Sequence, residues 1–251
     1  GYQADMVLLN SLQPLHIGRV YKKGRLVAED GKCLLATKPV AEKIQLISMN
    51  LEELHEEDLR LQAKGSEMRA IRTVPNTLIT EEEIVTVAER QGQAVSDANR
   101  DLLKMVVIER HRGSGRKGFG FVRGLGLREG ALASTVAHDS HNLIVVGVSD
   151  SDMIVAANAL RDLGGGLVVV SDGRVRAQLP LPVAGLMTAA SLEQVVAGKQ
   201  EVNRAALGLG ATLEHPFMAL SFLALPVIPK LKLTDQGLVD VESFTHVPLF
   251  V

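Results

Sequence analysis

Two histidines, an aspartate, a serine and an asparagine occupy consecutive positions, His138-Asp139-Ser140-His141-Asn142, between two apolar runs of strand character at 131–137 and 143–148. Strand interiors hold such groups only when every polar atom finds a partner, because an unpaired buried one is costly. The run therefore reads as a polar tip at the end of a sheet, where ligands are met. The competing reading is a solvent-facing loop held by Asx- and Ser-type turns. Three chemistries fit the residue types. A Ser-His-Asp triad is possible in composition, but no nucleophile-elbow motif surrounds Ser140. A metal site would use His138, Asp139 and His141, yet His-x-x-His on an extended segment sends the two rings to opposite faces, so joint ligation needs a bend. The third is a supporting role, binding substrate or orienting a group from another domain. His138, Asp139 and His141 are accordingly candidate supporting catalytic residues, and Ser140 and Asn142 candidate substrate contacts.

A second polar segment, Glu109-Arg110-His111-Arg112-Gly113-Ser114-Gly115-Arg116-Lys117-Gly118-Phe119-Gly120, is basic and glycine-rich. It lacks the Gly-Lys-Ser/Thr ending of a phosphate-binding P-loop and has no obvious helix after it. A mobile glycine loop or a substrate-facing flap is expected, with Arg112 as a further candidate substrate contact. His215-Pro216-Phe217-Met218 opens an apolar run whose Phe and Met read as core.

The elements that must position these groups follow from pattern. Residues 5–9, 17–21 and 26–28 read as short strands, the last two joined at Lys22-Lys23-Gly24-Arg25 in a hairpin. An isolated hairpin is marginal in water, so partner strands are expected upstream. Residues 41–65 are the least hydrophobic, with Glu52, Glu53, Glu56, Glu57 and Asp58 close together, and read as a solvated linker carrying a turn or short helix. From residue 66 strands alternate with helices. Met68–Arg72 and 102–108 look like strands, and Thr80-Glu81-Glu82-Glu83 like a helix start or turn. Ser149-Asp150-Ser151-Asp152 caps a helix ended by Gly164-Gly165-Gly166, the chain returns as strands on either side of Asp172-Gly173, and Ser-Leu-Glu-Gln at 191 opens a second helix. The expected class is α/β (α+β): a mixed sheet layered with helices over 66–251, after a β-fragment over 1–40.

Composition narrows the function classes. A net charge of −2 gives no electrostatic reason for nucleic acid, and aromatics at 3% with no Trp leave few bases-stacking platforms. The single cysteine, Cys33, rules out an internal disulfide or a cysteine zinc site and suits a reduced, cytoplasmic setting. The longest apolar stretch, 217–228, is broken by Ser221 and Pro226 and falls short of the ~18–20 residues of a membrane span.

Long strings of this sequence resemble the adenine deaminase family: Ala137-His138-Asp139-Ser140-His141-Asn142, Gly124-Leu125-Gly126-Leu127-Arg128-Glu129-Gly130-Ala131, Leu179-Pro180-Leu181-Pro182-Val183-Ala184-Gly185-Leu186, and Leu220-Ser221-Phe222-Leu223-Ala224-Leu225-Pro226-Val227-Ile228-Pro229. The resemblance implies hydrolysis of adenine to hypoxanthine and ammonia, in purine salvage or adenine catabolism, by an amidohydrolase with a binuclear manganese or iron centre in a (β/α)₈ barrel. It also implies a small β-sandwich and an extra C-terminal domain. This sequence has no His-x-His barrel motif and no room for a barrel, which takes about 250 residues alone, so the metal ligands are expected upstream and none in this chain. The partners expected are adenine, the upstream barrel of the same polypeptide and further copies of the chain. The other functions open to it are a non-catalytic oligomerisation module, or part of an amidohydrolase acting on another purine or cyclic amidine.

Overall fold

Lys23 and Gly24 both take left-handed backbone (φ 53° and 73°), as a two-residue hairpin turn requires. They join the second and third strands of an antiparallel meander: β1 (Met6–Leu12), β2 (Leu15–Lys22), β3 (Arg25–Glu29) and β4 (Lys32–Cys33). The computed structural model describes residues 1–36 and 49–251. The chain divides into two units, Gly1–Lys43, which holds this meander, and Ile44–Val251. Consecutive side chains of β1 point to opposite faces, and Met6, Val7, Leu8, Leu9 and Leu12 are all exposed. The meander therefore carries apolar groups on both faces and has little core of its own.

In the larger unit, β5 (Glu67–Thr73) and β6 (Thr80–Thr86) form a hairpin. The short pair β7 (Glu89–Arg90) and β8 (Gln93–Ala94) follows, and then β9 (Leu103–Ile108), β10 (Lys117–Arg123), β11 (Ala131–Ser134) and β12 (Leu143–Gly147). Helix α1 (Asp150–Leu163) leads to β13 (Gly166–Ser171) and β14 (Arg174–Pro180). Helices α2 (Leu192–Gly208) and α3 (Pro216–Phe222) precede a last small sheet of β15 (Leu231–Thr234), β16 (Gly237–Asp240) and β17 (Thr245–Val247). The main sheet has the order β14-β13-β11-β12-β9-β10-β5-β6, and β10–β5 is its one parallel pairing among the described residues. This is the mixed, helix-layered sheet that the pattern predicts, and the described residues contain no barrel.

Both faces of the central strands are buried, so their sequences are almost continuously apolar, the buried Lys104 of β9 being paired with Asp150. On β9, Leu103, Met105 and Val107 join α2, α3 and β15–β16 in one core, while Val106 and Ile108 join α1 in the other. The Ser149 hydroxyl caps α1 by accepting from Asp152 N–H, and Gly164 closes it in left-handed conformation. Ser191 and Gln194 form a reciprocal capping box on α2. Neither helix, nor any other described one, is long and apolar enough to cross a membrane.

Three local expectations differ from the structure. Thr80–Thr86 is a strand, not a helix start. Thr80 Oγ1 donates to Leu231 C=O, while Glu81, Glu82 and Glu83 pair with Arg72, Arg69 and Arg123. Cross-strand ion pairs thus use the carboxylates that a helix N-terminus would have used. Of the expected linker, 41–48 lie outside the described residues. Residues 49–65 pack on the larger unit: Leu54 and Leu59 are buried, and the Asn158 amide bridges both backbone groups of Leu54 at 2.9 Å. Glu52, Glu53, Glu56 and Glu57 face solvent around a short 3₁₀ turn, Glu56–Leu59, while the half-buried Asp58 pairs with Lys117.

The third concerns the glycine-rich segment, whose second half is strand β10 rather than a flap. A Cβ at Gly118 would overlap the Thr234 carbonyl oxygen, and one at Gly120 would press on the Leu233 side chain at 3.2 Å. These glycines let β15 and β16 lie directly on the sheet. Gly118→Ala is expected to lower stability by about 2–3 kcal/mol, seen as a lower urea midpoint with unchanged slope.

Candidate functional site at the end of the central sheet

Strand register gathers the polar segments. Leu143 pairs with Ile108, Ser134 with both Ile144 and Leu167, and Gly166 with Pro180. The ends of β9, β11 and β14 and the starts of β12 and β13 therefore meet at one end of the sheet. The 135–142 connection joins the third and fourth strands of eight. It lies at the ends of interior strands, not along an edge strand.

Strand β11 stops at Ser134, short of the predicted residue 137, because side chains take over the backbone bonding. Ser134 Oγ accepts from Val136 N–H at 2.9 Å, and Thr135 Oγ1 donates to Gly185 C=O at 2.6 Å while accepting from Gly166 N–H at 2.8 Å. Residues 138–140 then form a turn closed by His141 N–H donating to Ala137 C=O at 2.6 Å. His141 sits at φ 50°, a left-handed conformation that histidine tolerates better than most residues but that still costs energy.

The turn corrects one sequence argument. His138 and His141 are not splayed: their ring centroids are 5.4 Å apart, edge to face, and the His138 ring also contacts Phe222 at 4.8 Å. The bend that joint action of the two rings requires is present. Burial, with the charges of His138 and Arg110, holds His141 below the ordinary imidazole value of 6.5, so the ring is predominantly neutral at pH 7. Among the described residues neither His141 Nδ1 nor Asn142 Oδ1 has a hydrogen-bond partner, although both atoms are buried. Asp139 and Ser140 are exposed beside them.

Two residues that the sequence reading did not assign a role hold this turn. Arg110 is fully buried and donates from Nε to His141 C=O at 2.6 Å and from Nη2 to Ala184 C=O at 3.0 Å. It ties the turn to the loop after β14, and burial lowers its pKa to about 10. Its place directly after an apolar strand, where an exposed cation would be ordinary, gave no signal of that burial. Glu109 is buried too. Burial alone would raise its carboxyl, but bonds from the Ser114 hydroxyl and from the N–H groups of Ser114, Arg112 and His111 outweigh this and hold it at about 2. Around that carboxylate the 109–114 loop folds back, and His111 Nε2 donates to Ser140 C=O at 2.8 Å. The two polar segments read separately in the sequence are thus one bonded unit.

Of the candidate residues, His138, Asp139, Ser140, His141 and Asn142 lie together on the turn. Arg112 lies on the neighbouring loop with its side chain exposed and its N–H on Glu109. No three His, Cys, Asp or Glu side chains are grouped to hold a metal ion among the described residues. The arrangement presents imidazole, carboxylate and amide groups on a fixed platform.

The profile of the adenine deaminase C-terminal domain matches residues 77–245. The adenine deaminase of Oleidesulfovibrio alaskensis is 49% identical over 250 residues, covering 100% of this chain and 43% of that protein. Adenine deaminase 2 of Carboxydothermus hydrogenoformans is 44% identical, covering 99% and 44%, and the adenine deaminase of Methanothrix thermoacetophila 44%, covering 100% and 44%. The chain therefore spans less than half the length of these relatives. The matched profile covers most of the larger unit, including the turn at 138–141 and its Arg110 anchor, and by that match the chain belongs to the adenine deaminase C-terminal domain family.

Proposed function

We propose that this chain is the C-terminal part of an adenine deaminase and that its 137–142 turn closes the purine pocket of an upstream barrel. The observation that carries this reading is the turn itself. It holds two imidazoles 5.4 Å apart, with His141 Nδ1 and Asn142 Oδ1 buried and without a hydrogen-bond partner among the described residues. Unpaired buried polar atoms are costly unless something pairs with them in the working state. A purine edge, with ring nitrogens and an amino group, offers both donors and acceptors. Asp139 and Ser140 on the turn and His111 and Arg112 on the loop bonded to it are exposed and polar, whereas the core of an assembly interface would be apolar and poor in charge.

In this reading His141, neutral at pH 7, gives or accepts a hydrogen bond to the base, Asn142 accepts one, and Asp139 orients a group from the barrel. His138 rests on Phe222 and helps exclude water. The manganese or iron implied for the family does not fit the residues present, since the described chain lacks a grouped donor set. Its ligands are assigned to the upstream part. The meander of β1–β4, apolar on both faces, completes a β-sandwich with strands from the same region.

The test is direct. With manganese or iron supplied, the purified 251-residue chain is expected to release no ammonia from adenine, while the full-length enzyme does. Adenine-dependent ammonia from the isolated chain would overturn the assignment of the chemistry to the upstream part.

A further inference from the structure

The tip of the turn, Asp139-Ser140, is exposed, and neither side chain makes a hydrogen bond among the described residues. The tip's one hydrogen bond to another segment, among those residues, runs from His111 Nε2 to Ser140 C=O at 2.8 Å. The residues on either side are tied separately: His138 N–H donates to Ser221 C=O at 3.0 Å, and Arg110 holds His141 C=O. His111 is in turn held at both of its backbone groups. Its N–H donates to Glu109 Oε1 at 2.6 Å, and its C=O accepts from Asn50 Nδ2 at 2.5 Å. Glu109 also takes the N–H groups of Arg112 and Ser114, and hydrogen bonds to a carboxylate are among the strong ones. The imidazole therefore stands on a loop with little freedom of its own.

An exposed hydrogen bond adds little to stability, because water takes the place of the lost donor. Water satisfies the Ser140 carbonyl but does not fix it in space, and fixing it is what a tip without side-chain anchors lacks. We propose that His111 is a positioning residue: by holding Ser140 C=O it fixes the tip of the turn and with it the direction of the adjacent Asp139 carboxylate. This rests on the reading that the turn closes the purine pocket, and it names the group that aims Asp139 there. A catalytic group displaced by about 1 Å loses much of its effect on rate, so a bond of small energy carries a large consequence for turnover.

Steady-state kinetics of the full-length enzyme on adenine, with three substitutions at one position, make the test. His111→Phe keeps a planar ring but has no donor. His111→Gln carries an amide N–H about where Nε2 lies, and His111→Asn carries one only as far out as Nδ1. His111→Phe and His111→Asn are expected to lower kcat about fivefold, and His111→Gln to stay within about twofold of the unchanged enzyme because the donor is restored. Melting temperatures are expected to be the same in all three. In a chain that already carries Asp139→Asn, His111→Phe is expected to have no further effect, since residues that act as one unit are not additive. Full turnover in His111→Phe, a His111→Gln enzyme as slow as His111→Phe, or the same loss on top of Asp139→Asn would each overturn the proposal. Full turnover in Asp139→Asn itself would overturn the pocket reading and the proposal with it, whereas a slow Asp139→Asn beside a fast His111→Phe overturns the proposal alone.

Discussion

Arg110→Met is expected to lower the stability of the larger unit by about 3 kcal/mol, since each buried carbonyl left unpaired costs about 1–3 kcal/mol. The carbonyls of His141 and Ala184, at part-buried bonds, are among its acceptors. Methionine fills much of the volume but donates nothing, so packing and charge effects separate. Arg110→Lys restores the charge without the planar fork that reaches two acceptors at once, and is expected to recover only part of the loss. Urea unfolding measures both. In the full-length enzyme the same Arg110→Met change is expected to cut turnover at least tenfold, because the turn loses the anchor that fixes His141, and small displacements of catalytic groups are costly in rate. Full turnover in a variant that is clearly destabilised would show that the turn's position does not matter to the chemistry.

Asp139→Asn and His141→Ala in the full-length enzyme are each expected to lower turnover on adenine at least tenfold, about 1.4 kcal/mol of transition-state stabilisation. Their melting temperatures should move little. Asp139 is exposed, and the His141 ring makes no side-chain hydrogen bond among the described residues. Because burial holds His141 below 6.5, its neutral form persists into mildly acidic solution. Activity that needs neutral His141 is retained at pH 6.5 and lost as the pH falls through the lowered value. His141→Gln, which cannot titrate, should lack that acid limb. Two fully active variants would make the turn a structural feature only.

Local signals in the sequence determined much of the fold. The Ser149 cap with Asp152, the left-handed Gly164 stop, the Ser191–Gln194 box and the Lys23-Gly24 hairpin each involve residues within four positions of one another, so no distant partner is needed to read them. The turn at 138–142 was legible for a similar reason, since polar residues between two apolar strands have nowhere to go but a sheet end. Tertiary structure decided the rest. The Glu81–Glu83 run carries a helix-start signal that β5 and β10 override with Arg69, Arg72 and Arg123. Gly118 and Gly120 look like a flexible loop until β15 and β16, more than a hundred residues away, pack against them. Pairing of Leu143 with Ile108 brings Glu109, Arg110 and His111 onto the turn, and the chain between gives no hint of it. In each case the local preference is worth less than the burial and hydrogen bonding gained from a distant segment, and only the folded chain brings that segment near.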